Sequence, residues 1–208
     1  MRIGLIEFTG GFVVMVALVY LFDSAGVVPL VILAAAIHEL GHFAAIRAMG
    51  GRVLRFHLGL VGLRIDYEGT KIGYPGEMLI ALAGPIASFG LAYGASLWGQ
   101  VSGSETAFFL AGISLGACMF NLLPVYQLDG GRALYCLLAW AGELVWAQRV
   151  ICILSCVTIF VLLLAGAALF LWSDWNFTLL TAAIWLLISY CKSNGNTIKY
   201  RSGQTALI

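Results

Sequence analysis

Apolar residues run along this chain in blocks. Six of the blocks reach or approach the about 17 to 25 residues that a helix needs to cross a bilayer: 5 to 22, 27 to 49, 78 to 98, 106 to 124, 148 to 172 and 176 to 191. The first and last are short for that task. Between the fourth and fifth, "GGRALYCLLAWAG" is apolar but too brief to cross, which suits a short helix lying in the interface or re-entering it. The first block follows Arg2 as in a secretory signal, yet Glu7 sits early in it and "YLFDSAG" lacks a clean small-x-small cleavage site, so it reads as a retained span. The fold expected is an all-α polytopic membrane protein with about six transmembrane helices.

One polar insertion, 50 to 77, breaks this pattern. Leu54, Phe56, Leu58 and Leu60 hold even positions, whereas Val61, Leu63, Ile65 and Tyr67 hold odd ones, with Gly59 and Gly62 beside the switch. Alternation of period two that changes phase at glycines predicts two short strands joined by a tight turn. The expectation is a small β-hairpin at about 51 to 70 inserted in a single transmembrane domain of residues 1 to 191, followed by a short polar tail at 192 to 208.

Composition agrees. The chain is 62% hydrophobic and 10% charged, with mean hydropathy +0.98, whereas soluble domains carry about 25% charged residues. A net charge of +1 without a Lys/Arg-rich cluster excludes nucleic acid as a partner and leaves the lipid bilayer as the main environment. Cys118, Cys136, Cys152, Cys156 and Cys191 lie in or beside apolar runs and read as small buried hydrophobes. With six spans, Arg2, Arg52, Arg55, Arg64, Lys71, Arg132, Arg149, Lys192, Lys199 and Arg201 all fall on one side. By the positive-inside rule that side is cytoplasmic, with both termini inside the plasma membrane of a prokaryote.

Against this background "AAAIHELGHFAAIRAMG" is anomalous, because it sets His38, Glu39 and His42 in a run that otherwise reads as lipid-buried. A charged group at membrane depth costs about 2.5 to 3.5 kcal/mol on insertion scales and usually marks function. His38-Glu39-Leu40-Gly41-His42 is the H-E-x-x-H pattern. At about 100° per residue the two histidines sit about 40° apart on one helix face, so both can reach one Zn²⁺ at about 2.0 to 2.1 Å. Glu39 points to the side, where it can act on the attacking water as general base and later as proton donor. If the inner boundary lies near Ile46, His42 is about 6 Å and His38 about 12 Å below it.

A catalytic zinc needs a third protein ligand. Asp129 in "NLLPVYQLDGGR" is the best candidate: it follows the fourth span on the same side as His42, Pro124 stops that helix, and Gly130 and Gly131 permit a tight turn. Glu68, Glu77 and His57 are rivals. Gly112-Ile113-Ser114-Leu115-Gly116 matches the G-x-S-x-G nucleophile elbow, but it lies inside an apolar helix and reads as small-residue packing. Gly84-Pro85 in "ALAGPIASFG" reads as a kink or a close packing point in the third span, with no direct catalytic role.

"HELGH" in the second span, "AGP" in the third and "NLLPVYQLDGG" at the end of the fourth together resemble the site-2 protease family of intramembrane zinc metalloproteases, over roughly residues 27 to 135. The six-span layout looks most like the subgroup that processes a sporulation pro-sigma factor. The resemblance implies His38, His42 and Asp129 as ligands of one catalytic Zn²⁺, Glu39 as the acid/base, and Asn121 as a hydrogen-bond donor to the oxyanion. It also implies a membrane-spanning or membrane-associated protein as substrate. Neither the PDZ insert nor the nucleotide-sensing domain of larger members is expected in this chain.

The function expected is intramembrane zinc-dependent endopeptidase, in regulated proteolysis of a membrane-bound protein. The alternative is a metal or small-solute transporter using the His/Asp cluster as a transit site, although such sites usually sit near the midplane at a repeat interface, and no repeat is visible here.

Overall fold

The computed structural model describes residues 2–3, 6–8, 26–59, 62–68, 72–173 and 177–197. They form strands β1 (Arg2–Ile3) and β2 (Ile6–Phe8), helix α1 (Val28–Ala48), strands β3 (Arg52–Gly59) and β4 (Gly62–Glu68), and helices α2 (Tyr74–Ser102), α3 (Glu105–Asn121), α4 (Asp129–Ala141), α5 (Leu144–Trp172) and α6 (Thr178–Thr197). The second to sixth expected spans are thus helices, with ends displaced by at most six residues. The brief apolar stretch at 130 to 142 is the short helix α4. Three helices, α1, α2 and α5, are long and apolar enough to cross a membrane by length and composition. Most of the expected first span lies outside the described residues. Its start is not helical, since Ile6–Phe8 form β2. The tail expected from 192 is helical as far as Thr197.

The chain divides into two compact units, Met1–Leu122 and Leu123–Ile208. In the first unit α1 packs on α2 and α3 through a stripe one turn apart, Ala34, His38, His42 and Ile46, all buried. Small residues permit the close approach: a Cβ on Gly41 would lie 2.5 Å from the Ala83 carbonyl oxygen and 2.7 Å from Ala87 Cβ. Helix α1 ends where Gly50 takes φ +77°, a conformation side chains resist, and the Gly51 N–H closes back on the Ile46 carbonyl at 2.8 Å. Pro75 in the first turn of α2 costs no helical bond, whereas Pro85 inside it removes one. The Ser104 hydroxyl caps α3 by accepting from the Ala107 N–H.

The hairpin is present and is part of something larger: β1, β2, β3 and β4 form one four-stranded sheet in that order, with β2 parallel to β3. The register explains the phase switch. Phe56 pairs with Ile65, Leu58 with Leu63 and Gly59 with Gly62, so even positions of β3 share a face with odd positions of β4. The shift between Val53 and Arg55 is a bulge that leaves Leu54 extra.

In the second unit α5 packs on α4 and α6. A Cβ on Gly166 would lie 2.8 Å from Leu180 Cα, so glycine sets the α5 to α6 approach. The buried residues of helix α4 are all small, Gly131, Ala133, Cys136 and Ala139, and Trp140 is left exposed.

Candidate metal centre

In the first unit His38 and His42 are brought together by their spacing on α1, and α2 decides how they face. His42 Nδ1 donates to the Ile80 carbonyl at 2.8 Å, and His38 Nδ1 pairs with the Ser88 hydroxyl at 2.9 Å. A carbonyl only accepts, so His42 carries its proton on Nδ1 and presents Nε2 as a lone pair in its neutral form. The two Nε2 atoms lie 3.2 Å apart, with ring planes at 77°. Two nitrogens bound to one tetrahedral zinc at about 2.0 to 2.1 Å would be about 3.3 Å apart. The pair therefore has the spacing, burial and outer hydrogen bonds of a zinc-ligating pair.

Gly84 makes room for it. A Cβ there would collide with His42 Nε2 and stand 2.8 Å from His38 Nε2. The Gly84 of "AGP" is therefore more than a packing point in α2; it borders the imidazole nitrogens. Glu39 follows His38 on α1, half-buried, about 100° round the helix. Asn121 is the last residue of α3, and its Nδ2 donates to the Ala117 carbonyl at 3.0 Å, leaving a second N–H on the same nitrogen. Ser114 lies inside α3 and lacks the strand-turn-helix setting of a nucleophile elbow.

The rivals for third ligand sit elsewhere. Glu68 is exposed at the end of β4, and His57 lies in β3 opposite Glu7 on one side and Arg64 on the other. Glu77 is buried in the first turn of α2 and accepts a hydrogen bond from the Tyr67 hydroxyl at 2.5 Å. Among the described residues, neither Glu68 nor Glu77 groups with the two imidazoles within ligand range.

Asp129 belongs to the second unit, as the first residue of α4, where an anionic side chain complements the helix N-terminus. The turn before it is closely determined. The Leu128 N–H bonds the Val125 carbonyl at 2.8 Å, and the Tyr126 N–H bonds Ser155 Oγ at 3.0 Å. Gly131 leaves no space for a Cβ, which would overlap the Val125 carbonyl and lie 2.8 Å from the Tyr126 nitrogen. Tyr126 stacks edge-on to Tyr135, and burial pushes its phenol up from the ordinary value, with Arg132 opposing and Cys136 adding to the rise. Sequence reasoning missed Ser88 and the Ile80 carbonyl; a lone serine one turn beyond Gly84 in an apolar helix is the signal for the former.

Residues 98–165 match the peptidase family M50. A zinc metalloprotease of Methanocaldococcus jannaschii is 30% identical over 108 residues, 50% of this chain and 31% of that protein. A Synechocystis sp. protein provisionally named a zinc metalloprotease is 33% identical over 102 residues, 47% of this chain and 27% of its own length. The chain thus aligns with about a third or less of each of these relatives. The solved site-2 protease from Methanocaldococcus jannaschii shares the fold, with TM-score 0.68 and 21% identity, covering 100% of this chain and 97% of that one. The sequence relatives are named as zinc metalloproteases and match about half of the chain, whereas the likeness of fold covers all of it. In fold the chain is similar to a site-2 protease over its whole length, and over part of its sequence to peptidase family M50.

Proposed function

We propose that this chain is an intramembrane zinc endopeptidase that hydrolyses a peptide bond in or near the membrane segment of a membrane-bound protein, in regulated intramembrane proteolysis. The observation that carries the reading is the 3.2 Å pair of Nε2 atoms, spaced for one metal ion and one residue from a carboxylate. In this reading one domain spans both compact units to residue 191. Its cytoplasmic side carries the termini and the Lys and Arg residues, and the metal lies nearer that side.

His38, His42 and Asp129 would hold one zinc ion per chain, a donor set of two imidazoles and a carboxylate that suits it. When bound, zinc supplies Lewis acidity that polarises a carbonyl and makes water acidic. Glu39 removes the proton from the attacking water and returns it to the leaving nitrogen. The free N–H of Asn121 donates to the oxyanion of the tetrahedral intermediate.

A helix hides its peptide bonds, so a transmembrane substrate has to unwind before it is cut. In the sheet, β3 is flanked by β2 and β4, whereas β4 is an outer strand and offers an edge for the extended substrate.

Glu39→Gln is expected to retain zinc and lose cleavage of a membrane protein co-expressed with the full chain. Zinc removal by a chelator should abolish wild-type cleavage, and added zinc should restore it. Undiminished cleavage by Glu39→Gln would overturn the mechanism.

A further inference from the structure

The turn that carries Asp129 also carries a side chain that the fold leaves unused. Both amide atoms of Gln127, Oε1 and Nε2, are buried without a hydrogen-bond partner. Its neighbours are tied down: Val125 and Leu128 are buried, and the N–H groups of Tyr126 and Leu128 are both bonded. Buried polar groups are nearly always paired, and an unpaired amide is a cost that folding alone does not recover. A leucine would fill the same space without that cost. An unsatisfied group held on a rigid turn two residues from a proposed metal ligand is the kind of compromise found at binding sites.

The chemistry of the group suggests its ligand. A primary amide repeats the donor and acceptor of a peptide group. In an extended chain the N–H and C=O of one residue point to the same side, so one Gln amide can donate to that carbonyl and accept from that N–H. A helical chain cannot offer them, because both are bonded internally. Two residues of backbone reach at most about 7 Å, which keeps Gln127 in the neighbourhood of Asp129 and of a bond cut at a metal held there.

We propose that Gln127 binds the backbone of the unwound substrate next to the scissile bond, so that the protease selects extended over helical chain whatever its side chains. The proposal rests on the peptidase reading above. Its test uses the full chain in detergent, zinc-loaded, with a quenched fluorogenic peptide taken from a mixed library by wild-type cleavage, and with analogues of that peptide in which single amide N–H groups are replaced by ester oxygen. Gln127→Leu should keep zinc and an apparent Tm no lower than wild type, while kcat/KM falls about tenfold or more through KM. One ester analogue, close to the cleaved bond, should cost the wild type a similar factor and cost Gln127→Leu nothing further.

A Tm that falls in Gln127→Leu while cleavage is retained makes the amide structural and overturns the proposal. So do ester effects that multiply with the substitution. A zinc-loaded wild type that cleaves no library peptide removes the peptidase reading itself, and this inference with it.

Discussion

His38 Nδ1 and Ser88 Oγ lie 2.9 Å apart, which ties the first imidazole of the candidate metal centre to a serine fifty residues away on α2. The second imidazole is tied to the same helix through Ile80. Because α1 and α2 run antiparallel, the earlier histidine meets the later α2 residue. One helix therefore carries both imidazoles, and its neighbour aims them.

Ser88→Ala removes one of those two outer bonds and leaves both imidazoles in place. Outer partners of metal-bound histidines are typically worth 10- to 100-fold in affinity or activity. The variant should release zinc to a competing chelator at roughly 10-fold lower chelator concentration. Cleavage should recover when zinc is raised in proportion. An unchanged competition curve would mean that packing alone orients His38.

Gly84→Ala tests the space beside the nitrogens. Its methyl would collide with His42 Nε2 and stand 2.8 Å from His38 Nε2, so zinc content should drop to background. Gly90→Ala on the same helix meets nothing within 4 Å and provides the control. It should bind zinc as wild type does, since alanine is the better helix former by about 0.5–1 kcal/mol. Equal zinc binding by the two variants would contradict the close approach at Gly84.

What could be read from the chain alone was whatever is local. The second to sixth spans follow from apolar run length, and the shared face of His38 and His42 follows from helical spacing. The β3–β4 hairpin follows from a phase switch that the register turns into a shared face. Long-range contacts carried no such signal. Ser88 is an ordinary serine until α2 is laid against α1, and Gly84 reads as a packing glycine until the imidazoles are seen beside it. The strands β1 and β2 are two and three residues long, too short to show a period, and β2 joins the sheet by parallel pairing with residues fifty positions on. The open valence of Gln127 is likewise a property of its surroundings.

Tyr67→Phe isolates the link between sheet and helix. It deletes the hydroxyl that donates to the buried Glu77 carboxylate, at an expected cost of about 1 to 3 kcal/mol. The apparent Tm in detergent should fall, with zinc affinity unchanged, because Ser88 and the Ile80 carbonyl are untouched. A fall in zinc affinity without a fall in Tm would instead assign the Tyr67–Glu77 bond to the metal site.

Proline scanning separates the two sides of β4. Successive residues of a strand turn their N–H groups alternately toward one neighbour and the other. On β4 one set faces β3, and the other faces away from the sheet. A proline in the first set breaks ladder bonds and should lower stability, as prolines in β3 should, because that strand is flanked on both sides. In the second set a proline removes only the donor available to an added strand. If substrate pairs there, cleavage of a membrane-embedded protein should be lost at every other position from Gly62 to Glu68 while zinc content and Tm persist. Loss without that period of two, or cleavage indifferent to all seven substitutions, would take substrate pairing away from β4.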